Sequence, residues 1–289
     1  MRALVFLVIA AVAAAACNAV LGIDEGHLIV DDAGSFTGGE DARRTDADTS
    51  EGGIEDDAAQ GKDASDASVA DQAAPGVVVS IPTLRNPSAV GHPVYGARVT
   101  VTGLVVGLDD VGTNRGFYLR DTSQTVWAGV YAYTGGNAVT VAVGDVVTAT
   151  GNYSNYQGAD QLQVTGKGNS YAKTGSGGVP APLNVTLAEL SDCTATGRAA
   201  QLQSMLVKMT NVVTIVATVN TEFTVKAQGD ASADTLIVSS FVANEAGLSP
   251  FPSGLNQKYA SIVGYAHKSG NPVEKCKLAP RSPADLVLQ

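Results

Sequence analysis

From residue 77 onward, apolar side chains recur at every second position in short runs that are interrupted by Gly, Asn, Asp and Pro. A period of two places successive side chains on opposite faces of an extended strand, which excludes amphipathic helices as the main building element. Five such runs, over 97–106, 116–120, 125–131, 145–151 and 160–164, match the count and size of a small Greek-key barrel. A second, less regular set covers 205–209 with 212–216, then 222–225, 235–238 and 259–265, preceded by a short helix around Leu187-Ala188-Glu189-Leu190. The expectation is an all-β body of two tandem small barrels, 77–175 and 182–289, joined near 175–182. Charged residues are only 16% of the chain, against about 25% in typical soluble domains, which fits strands and turns better than long surface helices.

The residues before this body have a different character. Residues 18–76 hold 15 acids against three bases, whereas residues 77–289 hold 13 acids against 14 bases, so the net charge of −10 resides in the first segment. That segment is dominated by Asp, Ala, Gly, Ser and Thr and cannot bury enough apolar surface to offset its ordering entropy. It is expected to be a disordered acidic linker over 17–76, extended by its own like charges. The near-neutral body offers no strong field for a polyanion.

Residues 1–16 read as a signal peptide: Met1-Arg2, an apolar run from Ala3 to Val12, then small residues up to Cys17. The run is short for a membrane span. Here the chain resembles bacterial lipoprotein precursors, in which the cysteine is lipidated and becomes the first residue of the mature protein. Where those precursors have Leu three residues before the cysteine, this chain has Ala14. The other reading is an ordinary signal peptide cut after Ala16, with Cys17 incidental; the position of Cys17, where the apolar run stops, favours lipidation. Acyl chains, at about 0.8 kcal/mol per buried CH₂, would then anchor the protein on a membrane. Asn18 rather than Asp after the cysteine implies, by the same resemblance, the outer membrane.

Within the first barrel, four motifs occur in order: Val99-Thr100-Val101-Thr102-Gly103, Gly116-Phe117-Tyr118-Leu119-Arg120-Asp121, Val143-Gly144-Asp145-Val146-Val147 and Tyr156-Gln157-Gly158-Ala159-Asp160-Gln161-Leu162. Together they resemble the OB-fold-like domains that accompany secreted bacterial endonuclease/exonuclease/phosphatase-type nucleases, over about residues 77–170. The end of the second unit, Pro280-Arg281-Ser282-Pro283-Ala284-Asp285, is similar to the ending of such modules. The resemblance implies OB-like barrels that bind or support, and the nuclease domain itself has no counterpart in these residues.

Cys193 and Cys276 fall in the second unit, in a compartment that permits oxidation. With Cys17 consumed by lipid their number is even, and a disulfide leaves no free thiol; two unpaired buried thiols are the alternative.

A catalytic constellation is not recognisable. His27, His92 and His267 are not spaced with other metal-ligating residues, and neither a Gly-x-Ser-x-Gly elbow nor a phosphate-binding glycine loop occurs. His267 reads as a loop residue, and Asp109-Asp110 and Asp121 read as solvated loop acids rather than a cation site. The chain is therefore expected to be a non-enzyme without cofactor or metal. Strand alternation puts Tyr118 and Arg120 on one face of the second strand, and Trp127 and Tyr131 on one face of the third. With Tyr133 and Arg98 they are the candidate ligand contacts, an aromatic-plus-Arg platform for bases or sugar rings. Trp127 serves equally well as core. The expected partners are the membrane, through the lipid, and a polysaccharide, a single-stranded nucleic acid or an envelope protein. An accessory role beside a separately encoded envelope enzyme, such as a nuclease, is the alternative.

Overall fold

The computed structural model describes residues 75–110, 115–217, 222–232, 234–242, 254–270 and 275–289. Residues 1–16, expected to be a signal peptide, Cys17 and nearly all of the expected acidic linker lie outside the described residues.

The first barrel contains β1 (Val77–Val78), α1 (Ile81–Arg85), β2 (Arg98–Asp109), β3 (Arg115–Arg120), β4 (Gly129–Gly135), β5 (Asp145–Tyr156), β6 (Ala159–Gln163) and β7 (Ser170–Ser176). Closure depends on β2 being long enough to serve two neighbours. Its first half pairs with β5 from Arg98 to Leu104 and its second half with β3 from Leu104 to Asp109. A register irregularity between Val105 and Gly107 lets the strand coil from one neighbour to the other. The ring runs β2-β3-β4-β6-β5 and back to β2, with β4 and β6 parallel. Ser80 starts α1 by accepting the Thr83 N–H at 3.1 Å, and Ile81 and Leu84 on the helix are fully buried in the barrel's core.

The second barrel repeats the plan with β8 (Leu183–Asn184), α2 (Leu187–Ser191), α3 (Arg198–Leu202), β9 (Leu206–Val216), β10 (Glu222–Ala227), β11 (Leu236–Ser239), β12 (Lys258–Ser269), β13 (Lys275–Ala279) and β14 (Leu286–Leu288). Its ring runs β9-β10-β11-β13-β12 and back to β9, again with the third and fifth strands parallel. In each unit one short strand adds parallel to the first barrel strand (β1 on β2, β8 on β9), and one adds antiparallel to the fourth (β7 on β5, β14 on β12). A Thr186/Glu189 capping box starts α2, the counterpart of α1. The protein is thus all-β in its described part, two tandem OB-like barrels with two extra strands each.

Several elements differ from expectation. The third strand begins at Gly129, not at Thr125, because Trp127 has φ 55° and turns its N–H out of the ladder to Gln201 O at 2.7 Å. The runs 205–209 and 212–216 form one strand, β9, with Asn211 at φ 53° absorbing the irregularity between them. His267 lies within β12, opposite Lys277, rather than in a loop. Asp109 ends β2 and is 3% exposed, so it is not a solvated loop acid. The four added strands and β13 carried too few alternating residues to stand out.

The barrels pack on each other through a third apolar cluster that joins Leu104, Val106 and Tyr118 to Leu206, Val242, Tyr265 and Ala279. Two glycines permit the approach. A Cβ at Gly107 would overlap the Tyr265 ring, whose hydroxyl donates to Val106 O at 3.0 Å, and a Cβ at Gly129 would lie 2.7 Å from the Ser204 backbone.

Cys193, which follows α2, is disulfide-bonded to Cys276 on β13 with Cα atoms 5.6 Å apart and a sequence separation of 83. Closing a loop of that length stabilises by about 4 kcal/mol in a chain-entropy model. A Cys193→Ser/Cys276→Ser double variant is expected to lose a comparable amount in urea unfolding, and titration of the unreduced unfolded protein is expected to find neither thiol.

Candidate functional site: the inter-barrel clefts

The site is organised around a buried charge. Arg85, the last residue of α1, is 1% exposed. Its Nε donates to Gly129 O at 3.0 Å and its Nη1 pairs with Asp160 on β6. Its Nη2 donates to Ala200 O at 3.2 Å and to Gln203 Oε1 at 2.7 Å, both in the second barrel. Asp160 also accepts the Tyr95 hydroxyl and the Asn155 amide, each at 2.9 Å. Burial, reinforced by the Asp160 carboxylate, raises the pKa of the Tyr95 and Tyr153 phenols, which therefore act as neutral groups.

The hairpin of β5 and β6 extends from this point between two clefts. Its two-residue turn, Gln157 and Gly158 with φ 52° and 85°, has the positive angles of a type I′ turn. On one side is a polar cleft of about 240 Å³, lined by Arg85, His92, Tyr95, Trp127, Asp160, Gln203 and Lys268 among others. The positive φ of Trp127, uncommon for a bulky residue, places its indole there.

On the other side is an aromatic cleft of about 130 Å³, lined by Tyr118, Tyr131, Tyr156, Gln157, Gln161, Ser204, Phe241, His267 and Ser269. Tyr118 forms its floor, 3% exposed and stacked on Tyr265 with centroids 3.7 Å apart and planes within 6°. Tyr131 leans on Tyr118 at 5.0 Å and donates its hydroxyl to Asp109 at 3.0 Å. Phe241 stacks on His267 at 5.2 Å, and Tyr156, 62% exposed, stands at the hairpin's end. Among the described residues no Lys, Arg, Asp or Glu lines this cleft. His267 adds no charge at neutral pH, because burial first, and the Lys277 ammonium second, push its pKa down to about 4.

The six candidate contacts therefore do not form one platform. Alternation correctly turns Phe117 and Leu119 into the barrel and Tyr118 and Arg120 away from its core, but Tyr118 is then covered by the second barrel. Tyr118 and Tyr131 reach the aromatic cleft, Trp127 the polar one, and Arg120 a third cleft beside the linker between the barrels. Tyr133 lies on β4 opposite Gly116 and Gln163, and Arg98 opens β2 opposite Asn152; neither lines these clefts. Sequence reasoning missed Tyr156, Phe241 and His267. Only Tyr156 had a local signal, the Gln157-Gly158 turn that follows it. Among the described residues no cluster of His, Cys, Asp and Glu could hold a metal ion.

No protein-family model matches the chain, and no curated protein is significantly similar to it.

The depressed His267 pKa has a definite sign. The unfolded chain binds a proton near pH 6.5 that the folded protein refuses until about pH 4, so the stability present above 6.5 is lost as pH falls through that window. Urea midpoints are expected to fall between pH 6.5 and pH 4, and His267→Gln is expected to flatten that slope.

Proposed function

We propose that the protein is a lipid-anchored envelope protein that binds a neutral glycan in the aromatic cleft between its barrels and performs no chemistry on it. The single observation that supports this is the lining of the cleft: aromatic rings from both barrels, side-chain amides from Gln157 and Gln161, hydroxyls from Ser204 and Ser269, and no formal charge among the described residues. Aromatic faces complement the apolar face of a sugar ring, while amides and hydroxyls complement its hydroxyl groups. A nucleic acid would bring phosphates for which the described lining supplies no cation, and the body's near-neutral charge adds no field of its own. The order of motifs resembling OB-like modules supports a holding role, since such barrels bind extended ligands along one face and its loops. The apolar run ending at Cys17 and the acidic residues after it support an anchor with a leash.

Two measurements test this. Mass spectrometry of the mature protein is expected to find an acylated amino terminus at Cys17; an unmodified terminus downstream of it would remove the anchor. The mature chain is expected to be retained on insoluble neutral polysaccharide and to give no salt-dependent shift with single-stranded DNA. Tyr156→Ala and Phe241→Ala are each expected to weaken glycan binding about tenfold, or about 1.4 kcal/mol, while a shift with DNA and no glycan retention would reverse the assignment.

A further inference from the structure

Arg85 shows what this fold does with a buried guanidinium: it surrounds it with acceptors. Arg120, the last residue of β3, is treated differently. It is 6% exposed, its Nε and Nη1 are buried with no hydrogen-bond partner, and none of the ion pairs among the described residues uses it. A guanidinium stays charged at any ordinary pH, and a buried charge without a partner is among the costliest features a fold can carry. Burial also pulls its pKa below the usual guanidinium value.

The side chain lines a cleft of about 380 Å³ in the first barrel, well apart in its lining from the aromatic cleft. Leu104, Val146 and Pro180 supply apolar walls, and Thr102 and Thr122 supply hydroxyls. The linker residues Gly177 and Gly178 form one side, and a Cβ at Gly178 would meet nothing, so the cleft is open there. Among the described lining residues the only other formal charge is Asp121, whose Oδ1 is engaged by the backbone N–H and hydroxyl of Ser123 at 2.9 and 2.6 Å.

We propose that Arg120 is an anion-binding residue and that this cleft takes a single carboxylate group, as borne by a uronic acid or by a peptide's carboxyl end. Charge matching selects the carboxylate. One guanidinium balances one negative charge, whereas a phosphate near −2 would remain under-compensated and face Asp121 as well. A carboxylate supplies the planar acceptors that a guanidinium lacks here, in a setting where apolar walls strengthen the pairing.

The test uses the mature chain and its Arg120→Met variant, with thermal unfolding measured in glucuronate, N-acetylglycine, inorganic phosphate and chloride at matched ionic strength. Removing an unpaired buried charge is expected to leave the variant at least as stable as the parent without added anion. Saturating carboxylate is expected to raise the parent's midpoint by several degrees and leave the variant's unchanged, and the stronger of the two carboxylates identifies the source. The proposal is overturned if neither carboxylate raises the parent, if the variant responds equally, if phosphate matches the carboxylates, or if Arg120→Met is markedly less stable. The response is independent of the aromatic cleft, so Tyr156→Ala is expected to retain it even where glycan binding fails.

Discussion

A full positive charge sealed inside the molecule sets the geometry of everything around it. Arg85 is tolerated because acceptors converge on it from β4, β6, α3 and the turn after α3. Replacing the hydration shell of a guanidinium requires most of its donors to be met at once, and no single element of this fold could meet them all. The consequence is that the two barrels are held by this polar node together with an apolar cluster and the Tyr265–Val106 and Trp127–Gln201 hydrogen bonds, and the hairpin carrying Asp160 is fixed where it divides the two clefts.

The apolar side of the contact is equally demanding. Tyr265 reaches the first barrel only because Gly107 has no side chain, and the Ser204 backbone comes close only because Gly129 has none. Tyr265, itself fully buried, then backs Tyr118, which forms the floor of the aromatic cleft; both rings belong to the cluster between the barrels rather than to either barrel's own core. The cluster between the barrels and the lining of the cleft therefore share Tyr118, Tyr131 and Phe241, as is common where pockets form between packed units.

The two units share a plan down to the added strands: a parallel strand and a helix before the barrel, and an antiparallel strand after it. Sequence alternation revealed the long strands well where one face is exposed, since β5 buries alternate residues over most of its length and β2 over its first half. It did not reveal β1, β8 or β14, which have two or three residues and exist because a neighbour's edge needs covering. Trp127 misled for a related reason: by pattern it extends a strand, but its N–H has a better partner in α3 than in the ladder. The pairing of Cys193 with Cys276 was an expectation that rested on an exported compartment and an even remaining count, and the fold places the two cysteines at disulfide distance.

By itself, the sequence determined that the body is all-β, that it comes in two similar units, that Phe117 and Leu119 face inward, and where charge is concentrated along the chain. These follow from local periodicity and composition, which are properties of neighbours in sequence. Only the tertiary structure decided which outward residues would meet each other: Tyr118 covered by Tyr265, Tyr131 and Tyr156 facing Phe241 and His267, Arg85 satisfied and Arg120 left without a partner. Alternation specifies a face of a strand but not what lies opposite it, because that depends on how one closed barrel docks on the next.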